Sequence, residues 1–176
     1  MNSSSRSVEE LEDLPNSGAD MELDDTDRAI LQALLKDSRA SQRELSRIVG
    51  VAQGTITNRL KRLESSGVIN GYSVVLNPES VGWTMTIMAG LCISKGKMID
   101  VQQKIAADSR VFSVYDVTGD WDSMVLARVR DRADLDDLTK TVFTLQGVTR
   151  SFTHVVLNTV KEDGFAKPAP DKNIKE

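Results

Sequence analysis

Residues 41–71, SQRELSRIVGVAQGTITNRLKRLESSGVING, admit few folds. Ser41 followed three positions later by Glu44 has the form of a capping box, in which each side chain satisfies an orphan backbone N–H at a helix start. The short helix that follows is expected to bury Leu45, Ile48 and Val49, and Gly50 stands where a left-handed residue ends it. A second helix buries Ile56, Leu60 and Leu63 and stops at Gly67. Just upstream, Asp24 or Asp25 caps a helix whose apolar stripe is Ile30, Leu31, Leu34 and Leu35. Three helices joined this tightly predict a three-helix helix-turn-helix domain over residues 21–67.

The outer side of the last of these helices is polar and basic. Gln53, Thr57, Asn58, Lys61 and Arg62 face out or flank the seam, with Thr55 and Arg59 beside them. Gln and Asn bond adenine edges and Thr touches a thymine methyl in the DNA major groove. Lys61 and Arg62, with Ser41, Gln42 and Arg43 at the start of the preceding helix, suit phosphates. The whole chain argues against such a partner, because its net charge is −4. That charge is unevenly placed. Residues 1–27 hold one arginine and nine acids, whereas residues 39–62 hold six basic residues and one acid. The local +5 patch agrees with double-stranded DNA as partner, against the alternative of a solvated helix pair in some other scaffold.

Residues 1–20 are rich in Ser, acids and turn formers and read as a disordered acidic tail, either natural or an extension before a start at Met21. Residues 68–76 read as a strand or strand-like hinge closed by Asn77-Pro78, within a linker spanning 68–80. Residues 81–161 then order as strand (83–93), helix (97–108), hairpin (111–118 and 121–130), helix from Asp131 or Asp134, and strand (148–160). This is the ferredoxin-like βαββαβ arrangement, so the chain as a whole is α+β. Trp121, Met124, Val125, Leu126 and Ala127 put apolar groups on both faces of the sheet. Helices cover only one, so the other is expected to pack on a second copy. Residues 162–176 read as a flexible tail.

Thr118-Gly119-Asp120-Trp121-Asp122 is open to two readings. It is ordinary hairpin-turn chemistry. Alternatively, Asp120 and Asp122 point the same way beside open glycine N–H groups, a corner suited to the ammonium and carboxylate of an amino acid. His154, the lone histidine, reads first as a packed core residue, since no partner carboxylate for catalysis is visible. No phosphate loop, nucleophile elbow or metal-spaced cluster is present, so no catalytic residue, metal or cofactor is expected. The single cysteine, Cys92, excludes an internal disulfide and fits a reducing cytosol. With no apolar leader or membrane-length apolar run, a cytoplasmic protein without membrane contact is expected.

The segments LDDTDRAIL, LKDSRAS, ELSRIVGV, RLKRLESSGVINGY and LNP resemble the N-terminal half of the Lrp/AsnC, or feast/famine, transcription regulators. VTGDWD followed by LARVRD, and the LQGV turn at 145–148, resemble that family's effector-binding domain. The resemblance spans residues 21–161. It implies a head that binds pseudo-palindromic promoter DNA, and a sheet that dimerises and assembles further, often to octamers. It also implies an amino-acid effector bound between dimers at Thr118, Gly119, Asp120, Trp121 and Asp122, with His154 of the last strand as a neighbour. Two departures stand out. Ala52 replaces the usual Ser cap of the recognition helix, and Asp116 and His154 are more polar than a leucine pocket requires. Two other functions share this outline: a siroheme-decarboxylase-like enzyme, and an effector-free architectural DNA-binding protein.

Overall fold

The computed structural model describes residues 22–162, and the expectations for residues 1–21 and 163–176 lie outside the described residues. The chain divides into two compact units between Val74 and Val75.

The first unit is three helices: α1 (Asp25–Lys36), α2 (Gln42–Val49) and α3 (Gln53–Ser65). Asp24 caps α1. Its carboxylate accepts from Asp27 N at 2.9 Å, while Asp27 Oδ2 accepts from Asp24 N at 3.2 Å. Ser41 Oγ accepts from Glu44 N at 3.2 Å, the serine half of the expected box. Gly50 and Gly67 take φ of 78° and 75°, the left-handed values their positions after α2 and α3 require. Ile30, Ala33, Leu45, Ile56, Leu60 and Leu63 form the core. Ile48 is a correction: it is 57% exposed, because Leu45 and Val49 alone set the buried side of a helix of eight residues.

The strand expected over residues 68–76 does not form. Val68 and Ile69 pack partly against the head core, but Val74, Val75 and Leu76 stand 82%, 74% and 61% exposed. Apolar, β-branched residues favour a strand only where a neighbouring strand completes the ladder, and none pairs with them among the described residues. No wing strand follows α3 among the described residues.

The second unit is β1 (Met85–Ile93), α4 (Met98–Ala106), β2 (Val111–Asp116), β3 (Ser123–Val129), α5 (Arg132–Thr141) and β4 (Val148–Val155). The strands are shorter at their ends than expected; β4 stops at Val155 and leaves Leu157 98% exposed. The sheet order is β2-β3-β1-β4 with every neighbour antiparallel, the ferredoxin-like topology. Burial in β3 alternates strictly. Val125, Ala127 and Val129 lie with Val101, Ile105, Leu138 and Phe143 in a dry core under the helices. Of the alternate, half-buried positions Met124 and Leu126 are apolar and Arg128 is charged, and no helix among the described residues covers them.

An ion-pair cluster fixes the start of α5. Asp131 caps the helix by accepting from Asp134 N at 2.8 Å. The nearly buried Asp134 carboxylate accepts from Arg130 N and Nε at 3.0 and 2.9 Å and from Arg110 Nη1 at 3.1 Å. Arg130 above all, then Arg110, holds that carboxyl far below its ordinary value of 3.8. A depressed carboxylate contributes stability that is complete above its unfolded pKa and is lost as pH falls through the folded one. The melting temperature of this unit is therefore expected to be flat near pH 5 and to fall steadily below about pH 4. Asp134→Asn should flatten that fall in a pH series of thermal melts.

Candidate DNA-reading head and ligand-binding corner

Ile56, Leu60 and Leu63 anchor α3, so its remaining positions divide into an outer face and two flanks. Gln53, Gly54, Thr57, Asn58 and Lys61 are exposed, and Thr55 is half-buried. Ser41, Gln42 and Arg43, all exposed, open α2. Thr57 Oγ1 lies 2.6 Å from Gln42 Oε1, which ties the first turn of α2 to the middle of α3. Ala52 gives α3 no side-chain cap, as its departure from Ser suggested.

The other flank of α3 turns toward α1. Arg59 Nη1 lies 3.1 Å from both carboxylate oxygens of Asp27 and also pairs with Asp24. Arg62 Nη2 pairs with Asp27 as well. Asp27 is fully buried. The backbone N–H of Asp27 first, and Arg59 second, lower the Asp24 carboxyl to about 2. On the sequence Asp24 reads as a candidate cap, but Asp27 counts only as charge. One signal was available: Asp27 lies three positions before Ile30, on the apolar stripe of α1. An acid on a buried stripe calls for a cation to face it.

Residues 117–122 form a turn between β2 and β3. Thr118, Gly119 and Asp120 are exposed, and Gly119 takes φ 109°. The expected pairing of Asp120 with Asp122 is corrected. Asp122 Oδ2 accepts from Ile93 N at 2.8 Å, where the β1–β4 register shifts and the ladder leaves that N–H over. Trp121 lies across Gly90, on the sheet face opposite the helices. Arg150 stacks on the indole at 4.4 Å and its Nη2 reaches Asp120 O at 3.4 Å. Phe152 lies 6.3 Å from Trp121 and 4.7 Å from His154, ring centre to ring centre. His154 is exposed on this face, not packed in the core as first read. Arg150 and Gly90 escaped the sequence reading, because only the strand register places them against Trp121.

Gly90 is a spacing requirement. A Cβ there would stand 2.5–2.9 Å from three indole atoms of Trp121. Gly90→Ala should push the indole off the sheet, seen as a shift in tryptophan emission with the unit still folded.

The helix side of the same unit carries an open groove of about 690 Å³ between Trp83 and the Arg110–Asp134 cluster. It includes none of the expected site residues.

A family model for winged helix-turn-helix DNA-binding domains matches residues 23–70, and one for the Lrp/AsnC ligand binding domain matches residues 86–164. An HTH-type transcriptional regulator of Pyrococcus horikoshii is 48% identical over 148 residues, which are 84% of this chain and 100% of that protein. The chain belongs to the Lrp/AsnC family of transcription regulators. The feast or famine regulatory protein of M. tuberculosis, solved in complex with L-methionine, superposes with a TM-score of 0.76 at 32% identity. That match covers 84% of this chain and 100% of the other. A Neisseria meningitidis transcriptional regulator, also in complex with L-methionine, gives a TM-score of 0.74 at 29% identity, covering 80% and 94%. The first unit is therefore the winged helix-turn-helix DNA-binding domain and the second the Lrp/AsnC ligand binding domain. No helix among the described residues is long and apolar enough to cross a membrane.

Proposed function

We propose that two copies of this Lrp/AsnC regulator pair through the open sheet face, present two heads to a pseudo-palindromic site in double-stranded DNA, and respond to an amino acid at the 118–122 corner. The observation that carries this is the face itself. Met88 is flanked across the ladder by Leu126 and His154, and Gly90 by Met124 and Phe152. Met88, Tyr115 and Phe152 are 39%, 52% and 54% exposed in the single chain. An apolar patch of this kind on a sheet marks a partner surface, and a symmetric pair is its simplest occupant. Pairing also answers the weakness of one small basic head, since two tethered heads bind with an effective concentration that one head lacks.

On the head, base reading falls to Gln53, Thr57 and Asn58, with Lys61, Ser41, Gln42 and Arg43 on phosphates. At the corner, the Arg150 guanidinium and the exposed Asp120 offer opposite charges for a zwitterion, and Trp121 and Phe152 offer apolar walls for its side chain. Two relatives solved with L-methionine support that ligand class. The protein then works by binding alone: the amino acid shifts DNA affinity by preferring one assembly over another.

A footprint on duplex from the protein's own promoter, with a salt titration and with each amino acid added, tests this. Protection of two half-sites that weakens steeply with salt and changes with one amino acid is the expected result. Binding insensitive to salt and to all twenty amino acids overturns it.

A further inference from the structure

We propose that Asp27, assisted by Asp24, withholds Arg59 and Arg62 from DNA and so makes the reading by α3 depend on its base-contacting side chains. These two arginines are half of the four cationic side chains in residues 53–65 and its preceding helix start, with Lys61 and Arg43 the others. On sequence pattern they are natural phosphate contacts. In the folded head both guanidinium groups instead converge on one fully buried carboxylate, and Arg59 is shared with Asp24. Side-chain exposure is 28% for Arg59 and 45% for Arg62.

The consequence lies in how protein–DNA affinity is composed. Each phosphate neutralised adds affinity on every sequence alike, whereas base contacts add it only on the right one. Two cations freed per head would raise binding everywhere and shrink the ratio between operator and bulk DNA. Holding them against α1 leaves Lys61 and Arg43 to position the head while Gln53 and Asn58 discriminate. The carboxylate also fixes the azimuth of α3, because its two partners are three residues apart on one flank of the helix. Asp27 is thus a positioning residue that acts through Arg59 and Arg62. The inference rests on the DNA-reading assignment of α3 and holds for one head or two.

The test compares the full chain with Asp24→Asn/Asp27→Asn. Asparagine caps a helix start as well as aspartate does, so α1 keeps its cap while both charges go. Binding to operator and to random duplex is measured across a salt series. The slope of log K against log salt is expected to steepen by about 0.9 for each cation released per head, with random-sequence affinity rising more than operator affinity. A merely structural role would weaken both duplexes equally and leave the slope unchanged, and that result overturns the proposal. Arg62→Gln supplies an independent arm, since Arg59 still neutralises Asp27 and the head stays folded. Here an unchanged slope is expected, and a slope shallower by about 0.9 overturns the proposal. If the unaltered chain itself binds no duplex, the DNA-reading assignment fails, and this inference with it.

Discussion

Phe152→Asp is expected to leave both units folded and to abolish cooperative operator binding. Phe152 is 54% exposed in the single chain, so an aspartate there keeps its water and costs the fold little. In the proposed symmetric pair the same position would be buried, and the two-fold axis would place the new charge on both partners. Removing an unpaired carboxylate from water costs several kcal/mol, far more than a rim contact contributes. The dimer constant should therefore weaken by about a thousandfold or more, since every 1.4 kcal/mol is tenfold. Losing the second tethered head should then lower operator affinity by about a hundredfold or more. Light scattering should give a monomer mass with unchanged circular dichroism. A variant that stays dimeric and binds operator normally would remove the sheet face from the account.

Why part of this was legible in the sequence, and part not, follows from how local each feature is. The helix ends at Gly50 and Gly67 and the cap at Ser41 are set by backbone conformation within a few residues, so short patterns reveal them. The βαββαβ order is a matter of period and punctuation, and it too was readable. Failures came wherever a distant partner decides. Residues 68–76 carry strand-forming composition but lack a neighbouring strand, so Val74 and Val75 stand exposed. Asp122 looked like half of a ligand-binding pair until the register shift beside Ile93 claimed its carboxylate. His154 looked like core because an isolated histidine on a strand carries no sign of which face it takes; its pairing opposite Met88 decides that. Arg59 and Arg62 differ from Lys61 only by helical angle, and that angle matters because Asp27 waits on α1, more than thirty residues earlier. The candidate corner at 118–122 is marked in the sequence by its glycine and acids. Its apolar and cationic walls, Trp121 over Gly90 and Arg150 over Trp121, come from three separate strands or turns and exist only once the sheet is paired.

Leu63→Ala separates the two units in the opposite sense. Leu63 is fully buried among Ile30, Leu45, Ile56 and Leu60. Truncating it removes the transfer energy of the lost carbons and leaves a cavity that three short helices can only partly close, at about 2–5 kcal/mol. A domain of this size buries a smaller fraction of its surface than a larger one and is only marginally stable, so a loss of that order takes most of its margin. The sheet unit has its own core under α4 and α5 and shares no core residue with the head. The thermal melt should therefore split, with the head unfolding about 10 °C or more below the sheet unit, given roughly 4–8 °C per kcal/mol for small domains. DNA binding should disappear near the lower transition, while the proposed sheet-to-sheet pair persists and the upper transition still rises with added amino acid. Phe152→Asp gives the reverse pattern: folded heads, no dimer. A single cooperative transition in Leu63→Ala, lowered as one, would show that head and sheet unit stabilise each other, and would require a ligand signal that passes through shared stability rather than through the presentation of two independent heads.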